Sequence, residues 1–440
     1  MILPFKAFFY NQDEIETMAD VITPPYDVIA KDLQDELLSR HTYNFCHLDL
    51  PRETGDDRYQ LAKSIMADWQ EQKVLVQDNK PALYLHRHTF HLQDGRKVSR
   101  KGFFAACQIE DFTSGKILPH EKTLDAPKLD RLRMTHATES NLSPVFSLYS
   151  DPVKNIESYC QTVLQTTPFM DFVSTEGERH ELWKIQDPVI IDKINNCLDS
   201  KPFFIADGHH RYETALTYRD EILASHPDLA SNAAPRFILM YFCNINDDGL
   251  VILPIHRCLK NLPNLNANEF LHKIKTNFEV QEFSADDLSL ALAAQNQMSN
   301  THHAFVMASP ISPVVHLISI THAQWQELAA ARGLQPSLSD LDVTVLHNEI
   351  FQNVLQISEE DLAKQTYVVY EKSTEAALSN LYNGDAQVAF LLNPTKIDQM
   401  QNVAGAGLKM PQKSTFFYPK IVSGLVLHAV TSNAVDGLVN

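Results

Sequence analysis

Nowhere in the 440 residues do two cysteines form a CxxC pair. Cys46, Cys107, Cys160, Cys197, Cys243 and Cys258 lie far apart, most of them inside apolar segments. That pattern argues against a disulfide framework or a thiolate metal centre and reads as reduced core cysteine. A run of basic residues is also missing, and the formal net charge is −18. A nucleic-acid backbone therefore has little to hold it. The longest clean apolar run, 237-FILMYFC-243, falls far short of the ~20 residues that span a bilayer. The opening MILPFKAFFYNQDE lacks the basic segment, long apolar core and small-residue cleavage site of a secretion signal. No polar or Pro/Gly/Ser-rich tract is long enough to suggest disorder. These absences lead us to expect a cytoplasmic globular protein with neither membrane nor nucleic acid as partner; no pattern sets an oligomeric state.

A chain with 44% hydrophobic and 21% charged residues folds throughout, and its length exceeds what one core usually holds. Strand-like and helix-like patterns alternate from end to end, which predicts an α+β protein with mixed sheets. In 22-ITPPYDVIA-30, Pro24 and Pro25 fix an extended backbone before Tyr26 and Asp27. Helices are expected from about Ala30 and over 57–73, the second with Leu61, Ile65, Met66 and Trp69 on one face. The segments 82–92 and 98–110, joined through Asp94-Gly95, read as a β-hairpin. Residues 152–200 read as helix, strands and helix. A buried strand is expected at 236–245 and another at 250–257. Beyond residue 264 come a helix at 266–278 and short strands at 304–309, 314–320, 367–373 and 388–394. The Pro- and Asn-rich stretch 261-NLPNLNAN-268 suits a linker, which divides the chain into 1–263 and 264–440.

Three segments concentrate chemistry. In 203-FFIADGHHRYETAL-216 an apolar run ends in Asp207, Gly208, His209, His210 and Arg211, and then turns helical. A strand-to-helix turn aims backbone N–H groups and a positive helix end at whatever lies above it, which makes an anion seat. Gly208 lets a ligand approach, Arg211 offers a fork for phosphate, and a histidine can donate to a developing negative oxygen. The plainer reading is that Asp207 caps the helix while the imidazoles fill a polar rim. Adjacent His209 and His210 project apart, so no metal is expected between them.

The second segment is 119-PHEKTLDAPKLDRLRMTHATESNLSP-144. It carries His120, Glu121 and Lys122, then Asp130, Arg131 and Arg133. A loop glutamate is a general base for a hydroxyl if burial raises its pKa. The alternative is a solvated helix whose charges pair with one another. The third is 405-GAGLKMPQKSTFFYPK-420. Gly407, Lys413 and Ser414 approach a Walker A pattern, but Gln412 replaces its second glycine and Pro411 removes a backbone donor. A P-loop also runs into a helix, whereas residues 415–427 read as strand, so this is no P-loop. Lys413, Ser414 and Thr415 can reach a phosphate or simply form an exposed turn.

Together with 24-PPYDVI-29, these segments resemble the signature of a large prokaryotic family, domain of unknown function number one thousand and fifteen, over nearly the whole chain. A more distant likeness is to the ParB/sulfiredoxin fold and its ADP-dependent free-serine kinases. That likeness implies a nucleotide-site core, with Glu121 as base, Asp207 and His210 at the transferring phosphoryl group, and Arg211 on nucleotide phosphate. His120, His209, Arg131, Tyr26, Asp27, Lys413, Ser414 and Thr415 complete the expected substrate and phosphate contacts. ADP or ATP is the expected cofactor, with Mg²⁺ held through Asp207 and no dedicated metal site. The expected activity is phosphoryl transfer between a nucleotide and a small hydroxylated metabolite such as serine or phosphoserine. A phosphate-ester hydrolase using the same pocket and a non-catalytic nucleotide-binding regulator are the alternatives.

Overall fold

The computed structural model describes residues 1–263, 265–310 and 312–431, apart from the side chains of residues 267 and 268. The chain divides into two compact units. The first comprises Met1–Pro119, Thr123–Val251 and Pro419–Asn440, and the second His120–Lys122 and Ile252–Tyr418. Residue 264, where the composition changes, lies outside the described residues. No helix among the described residues is long and apolar enough to cross a membrane.

The first unit is built on a nine-stranded mixed sheet. Its order is Ile117–Leu118, Phe203–Asp207, Val145–Tyr149, Phe237–Asn244, Lys97–Gln108, Leu83–His91, Arg179–Ile185 and Met170–Val173, with Ile2–Leu3 also paired to Lys97–Gln108. The hairpin of Leu83–His91 with Lys97–Gln108 forms as its Asp-Gly turn requires, with Gly95 at φ +83°. Every residue of Phe237–Asn244 is buried, consistent with a central strand that has no solvent face and hence no alternation. At roughly 1.5–3 kcal/mol for each large apolar side chain removed from water, Phe103, Ile205, Tyr212, Ile238 and Phe242 anchor the core beneath the site. All six cysteines are free, five of them buried.

The second unit carries a six-stranded antiparallel sheet ordered Glu279–Ser284, Val314–Thr321, His302–Ala308, Val388–Leu392, His256–Leu259 and Val368–Glu371. Three sequence expectations need correction here. The strand expected over 250–257 is split into Val251–Leu253 and His256–Leu259, because Pro254 lacks the N–H that a continuous ladder needs. The helix expected over 266–278 is shorter, Ala267–Ile274. Of 415–427 only Phe416–Tyr418 is regular strand, since Pro419 ends it.

Candidate functional site

Asp207 is the last residue of its strand. The pairing register shifts between Ile205, opposite Ser147, and Asp207, opposite Phe146. Ala206 is thus an extra residue, and the bulge re-aims the side chain after it. Gly208 then takes φ +90°, and the helix His209–Ser225 begins at once. Asp207 does not cap this helix, whose N-cap is Gly208 without any side-chain bond. Instead one carboxylate oxygen receives Lys420 and the other Arg211. Burial alone would raise the Asp207 pKa, but Lys420 and Arg211 together hold it at about 2. Arg211 also donates to the Pro144 carbonyl.

Gly208 does not leave its open side to a ligand. A Cβ there would sit 2.9 Å from Arg211 Nε and 3.0 Å from its Cζ. The glycine is required so that the guanidinium can fold back over the turn to reach Asp207. Tyr212 fixes the helix start from below, its hydroxyl accepting from the Glu110 amide at 2.9 Å and donating to the Glu110 carbonyl at 2.8 Å.

The helix Asp125–Thr138 supplies Arg131, which is buried and not solvated. Its guanidinium meets Asp49 Oδ1 at 2.7 Å and Asp130 Oδ2 at 2.7 Å, and the Tyr26 ring lies 4.0 Å from its Cζ. Asp49 also accepts from Ser143. Burial first, then Asp27 and Asp49, push the Tyr26 hydroxyl up to about 12 against the pull of Arg131 and Arg211. A small cavity of about 40 Å³ is lined by Tyr26, Arg131, Arg211 and the side chains of Thr135, Ser140 and Ser143, among others.

His210 bonds to the start of the helix Asp125–Thr138. Its Nε2 accepts from the Leu124 amide at 2.9 Å, which leaves Nδ1 to carry the proton of the neutral ring. Burial lowers its pKa, opposed by Asp27 and Glu213 and assisted by Lys128 and Arg211. The neighbouring Glu213 receives Thr123 at 2.7 Å and Lys128 at 3.1 Å. Asp27 is exposed, and its charge acts on both His210 and Arg211. His209 is buried at the foot of the helix.

The first unit thus brings together Tyr26, Asp27, Arg131, Asp207, His210 and Arg211. His120, Glu121, Lys413, Ser414 and Thr415 belong to the second unit. There His120 Nε2 lies 3.0 Å from Thr415 Oγ1, and the His120 carbonyl accepts from the Met410 amide at 2.8 Å. The HEK and MPQKST segments therefore pack on one another. Lys413 is exposed at φ +56°, its carbonyl accepting from the buried Arg257. Sequence reasoning missed Lys420 and Asp49. Lys420 closes the same segment as Lys413, directly after an apolar run and a proline, which was the available signal; Asp49 had none.

Both Asp207 oxygens are already paired to cationic side chains. No curated protein matches the chain. Among solved structures it is similar to a conserved hypothetical protein from Pyrococcus furiosus, at 13% identity and TM-score 0.31, covering 73% of this chain and 92% of that one. It is similar to a free serine kinase in complex with AMP, at 12% identity and TM-score 0.32, covering 72% and 86%. It is also similar to SbnI with a C-terminal truncation, from Staphylococcus aureus, at 8% identity and TM-score 0.33, covering 76% and 90%. The match that identifies the chain is to a family pattern spanning residues 2–344: it belongs to the family described as protein of unknown function, DUF1015.

Proposed function

We propose that the first unit binds nucleotide phosphate at the Asp207–Arg211 turn and transfers a phosphoryl group between the nucleotide, ADP or ATP, and a small hydroxylated metabolite of the serine or phosphoserine type. The core around the turn is read as ParB/sulfiredoxin-like on the strength of the Asp-Gly-His-His-Arg motif. The observation that carries the reading is the convergence of Arg131, Arg211 and Tyr26 on one small hydroxyl-lined cavity, since phosphoryl transfer depends on cationic and N–H donors placed around the phosphates. Neutral His210, with its Nε2 already engaged, offers Nδ1–H to an oxygen that gains charge. Glu121, the base that the resemblance implies, belongs to the second unit and is given no part in this site.

The charge pattern supports a divalent ion arriving with the nucleotide. A phosphate that takes Arg211 and Lys420 strips Asp207 of the two cations that hold its pKa at about 2. Two anions then face each other unless a cation lies between them. Mg²⁺ supplies that charge neutralisation when bound. The test is thermal shift and calorimetry with ADP, ATP, AMP, serine and phosphoserine, with and without Mg²⁺. Stabilisation by nucleotide, strengthened by Mg²⁺ and lost in Arg211→Ala, is expected; a ligand at 100 times its Kd adds about 2.7 kcal/mol. Absence of any nucleotide effect, or an effect that survives Arg211→Ala, removes the proposal. Phosphate release from phosphoserine without nucleotide selects hydrolysis instead.

A further inference from the structure

The second unit contains a cavity of about 310 Å³ that the proposed phosphoryl chemistry does not use. Leu334, Leu338, Leu362 and Met410 make part of its lining apolar, and Thr344, His347, Gln352 and Gln412 make part of it polar. Its volume falls at the lower end of the range for small-molecule sites, and the lining has their usual mixture of apolar surface and a few placed polar groups.

Two observations point independently to a ligand. Thr344 and His347 line this cavity, and their buried Oγ1 and Nε2 have no hydrogen-bond partner among the described residues. Such atoms are costly when left unsatisfied. The segment that carries His347 is also unusual: Leu346–Val354 is a π-helix, closed by the Leu355 amide bonding to the Ile350 carbonyl. In an α-helix residues five apart point about 140° from each other, and the wider π turn narrows that angle. The π geometry thus helps both His347 and Gln352 to line the cavity. A helix wound this way gives up regular bonding, and such stretches recur at functional sites.

The electrostatics decide the ligand's sign. Arg257 is buried and has no carboxylate within ion-pair distance among the described residues; its donors go to the Ile255 and Lys413 carbonyls, and Nε has no partner. It stacks on Tyr370, a lining residue, at 5.4 Å. Burial and then Arg257 hold the His347 imidazole well below its ordinary pKa, so the ring is neutral. Lys122 and Lys409 add two cations to the lining, against Glu359 alone.

We infer that this cavity binds a small amphipathic carboxylate, its anionic head near His347, Thr344 and the two lysines and its apolar body against Leu334, Leu338 and Leu362. The inference goes beyond the phosphoryl-transfer reading and does not depend on it. The experiment is calorimetric titration of the full chain with octanoate and 3-phenylpropanoate, and with octylamine and 3-phenylpropylamine as matched cations. The carboxylates are expected to bind and the amines not. Thr344→Val and His347→Leu should each weaken carboxylate binding at least tenfold. Because a core variant can perturb folding, Lys122→Glu provides the second arm: it should weaken the carboxylates while leaving the thermal unfolding midpoint in place. Absence of carboxylate binding to wild type, equal binding of the amines, or affinity unchanged in Lys122→Glu overturns the inference.

Discussion

Arg211 lies across Gly208 so closely that a methyl group on the glycine would meet the guanidinium at 2.9 Å from Nε. Gly208→Ala therefore carries two penalties, a left-handed backbone at φ +90° and a displaced arginine. The expected loss is about 1–3 kcal/mol from the backbone alone, read as a shifted urea midpoint. The double variant Gly208→Ala/Arg211→Ala should recover the steric part and keep the backbone part. A Gly208→Ala protein as stable as wild type would show that the turn relaxes freely.

Arg131 is held by Asp49 and Asp130 with its side chain 6% exposed. Removing one member of a buried pair leaves an uncompensated charge. Arg131→Met should cost about 3–5 kcal/mol, while Arg131→Met with Asp49→Leu should lose less than the sum of the single changes. Arg131→Lys should not restore wild-type stability, because an ammonium cannot serve two carboxylates and the Tyr26 face with one planar fork. Denaturant titration of wild type and these variants provides the check.

His210 is expected to matter to turnover more than to the fold, since it is only partly buried and takes one bond from the Leu124 amide. With nucleotide and serine or phosphoserine as substrates, His210→Ala should lower kcat by about 10²–10⁴, with little change in thermal midpoint. Full activity in this variant would remove His210 from the proposed chemistry.

A second histidine cluster governs pH dependence. His86 Nε2 lies 3.1 Å from His180 Nδ1, His88 stacks on His180 at 4.2 Å, and His88 Nε2 lies 2.7 Å from Glu178. A nitrogen of His88, a nitrogen of His180 and an oxygen of Glu178 fall within 4.8 Å of one another. Arg100 lies 3.2 Å from His88 Nδ1 and is a donor only, so His88 holds its proton on Nε2 and gives it to Glu178. Burial lowers all three imidazole pKa values well below the ordinary one, with Arg100 adding to the effect. Burial, with Glu176, raises Glu178 to about 7.

Unfolding below pH 6.5 releases three imidazoles to take up protons, which lowers stability as pH falls. Glu178 acts in the opposite sense between its unfolded value near 4.5 and 7, since there the folded state binds the extra proton. Three imidazoles outnumber one carboxylate, so the cluster's contribution to stability falls as pH falls from about 6.5 toward 5. His180→Phe should flatten the stability-against-pH slope, and Glu178→Gln should steepen it. Slopes unchanged in both variants would show that the cluster titrates alike in both states.

Local chemistry made much of this legible. Asp94-Gly95 marked the hairpin, the apolar run at 237–243 marked the central strand, and the dense motif at 207–211 marked the turn. The hidden remainder depends on contacts between distant segments. Nothing in 48-LDLP-51 distinguishes Asp49 from any surface acid until Arg131 reaches it. Lys420 and Lys413 are equivalent by sequence, and only the fold selects Lys420 for Asp207. Nor does a 3.6-residue period show where a helix widens, so Leu346–Val354 reads as ordinary until its bonding is traced. The same limit applies to Gly208, whose role stems from where Arg211 turns and not from a ligand.

The last described segment of the first unit has a consequence for biosynthesis. Lys420 neutralises Asp207, the Pro419 carbonyl accepts from Arg100, and Ser423 and Leu427 bond to Thr23 and Phe8. All of the second unit's main stretch, Ile252–Tyr418, is translated before these partners leave the ribosome. During that interval the nascent first unit must keep Arg100 and Asp207 without their closing contacts. Its final stitching is thus timed by the completion of the inserted unit, and a ribosome stalled before residue 419 would present an unfinished sheet to chaperones and proteases.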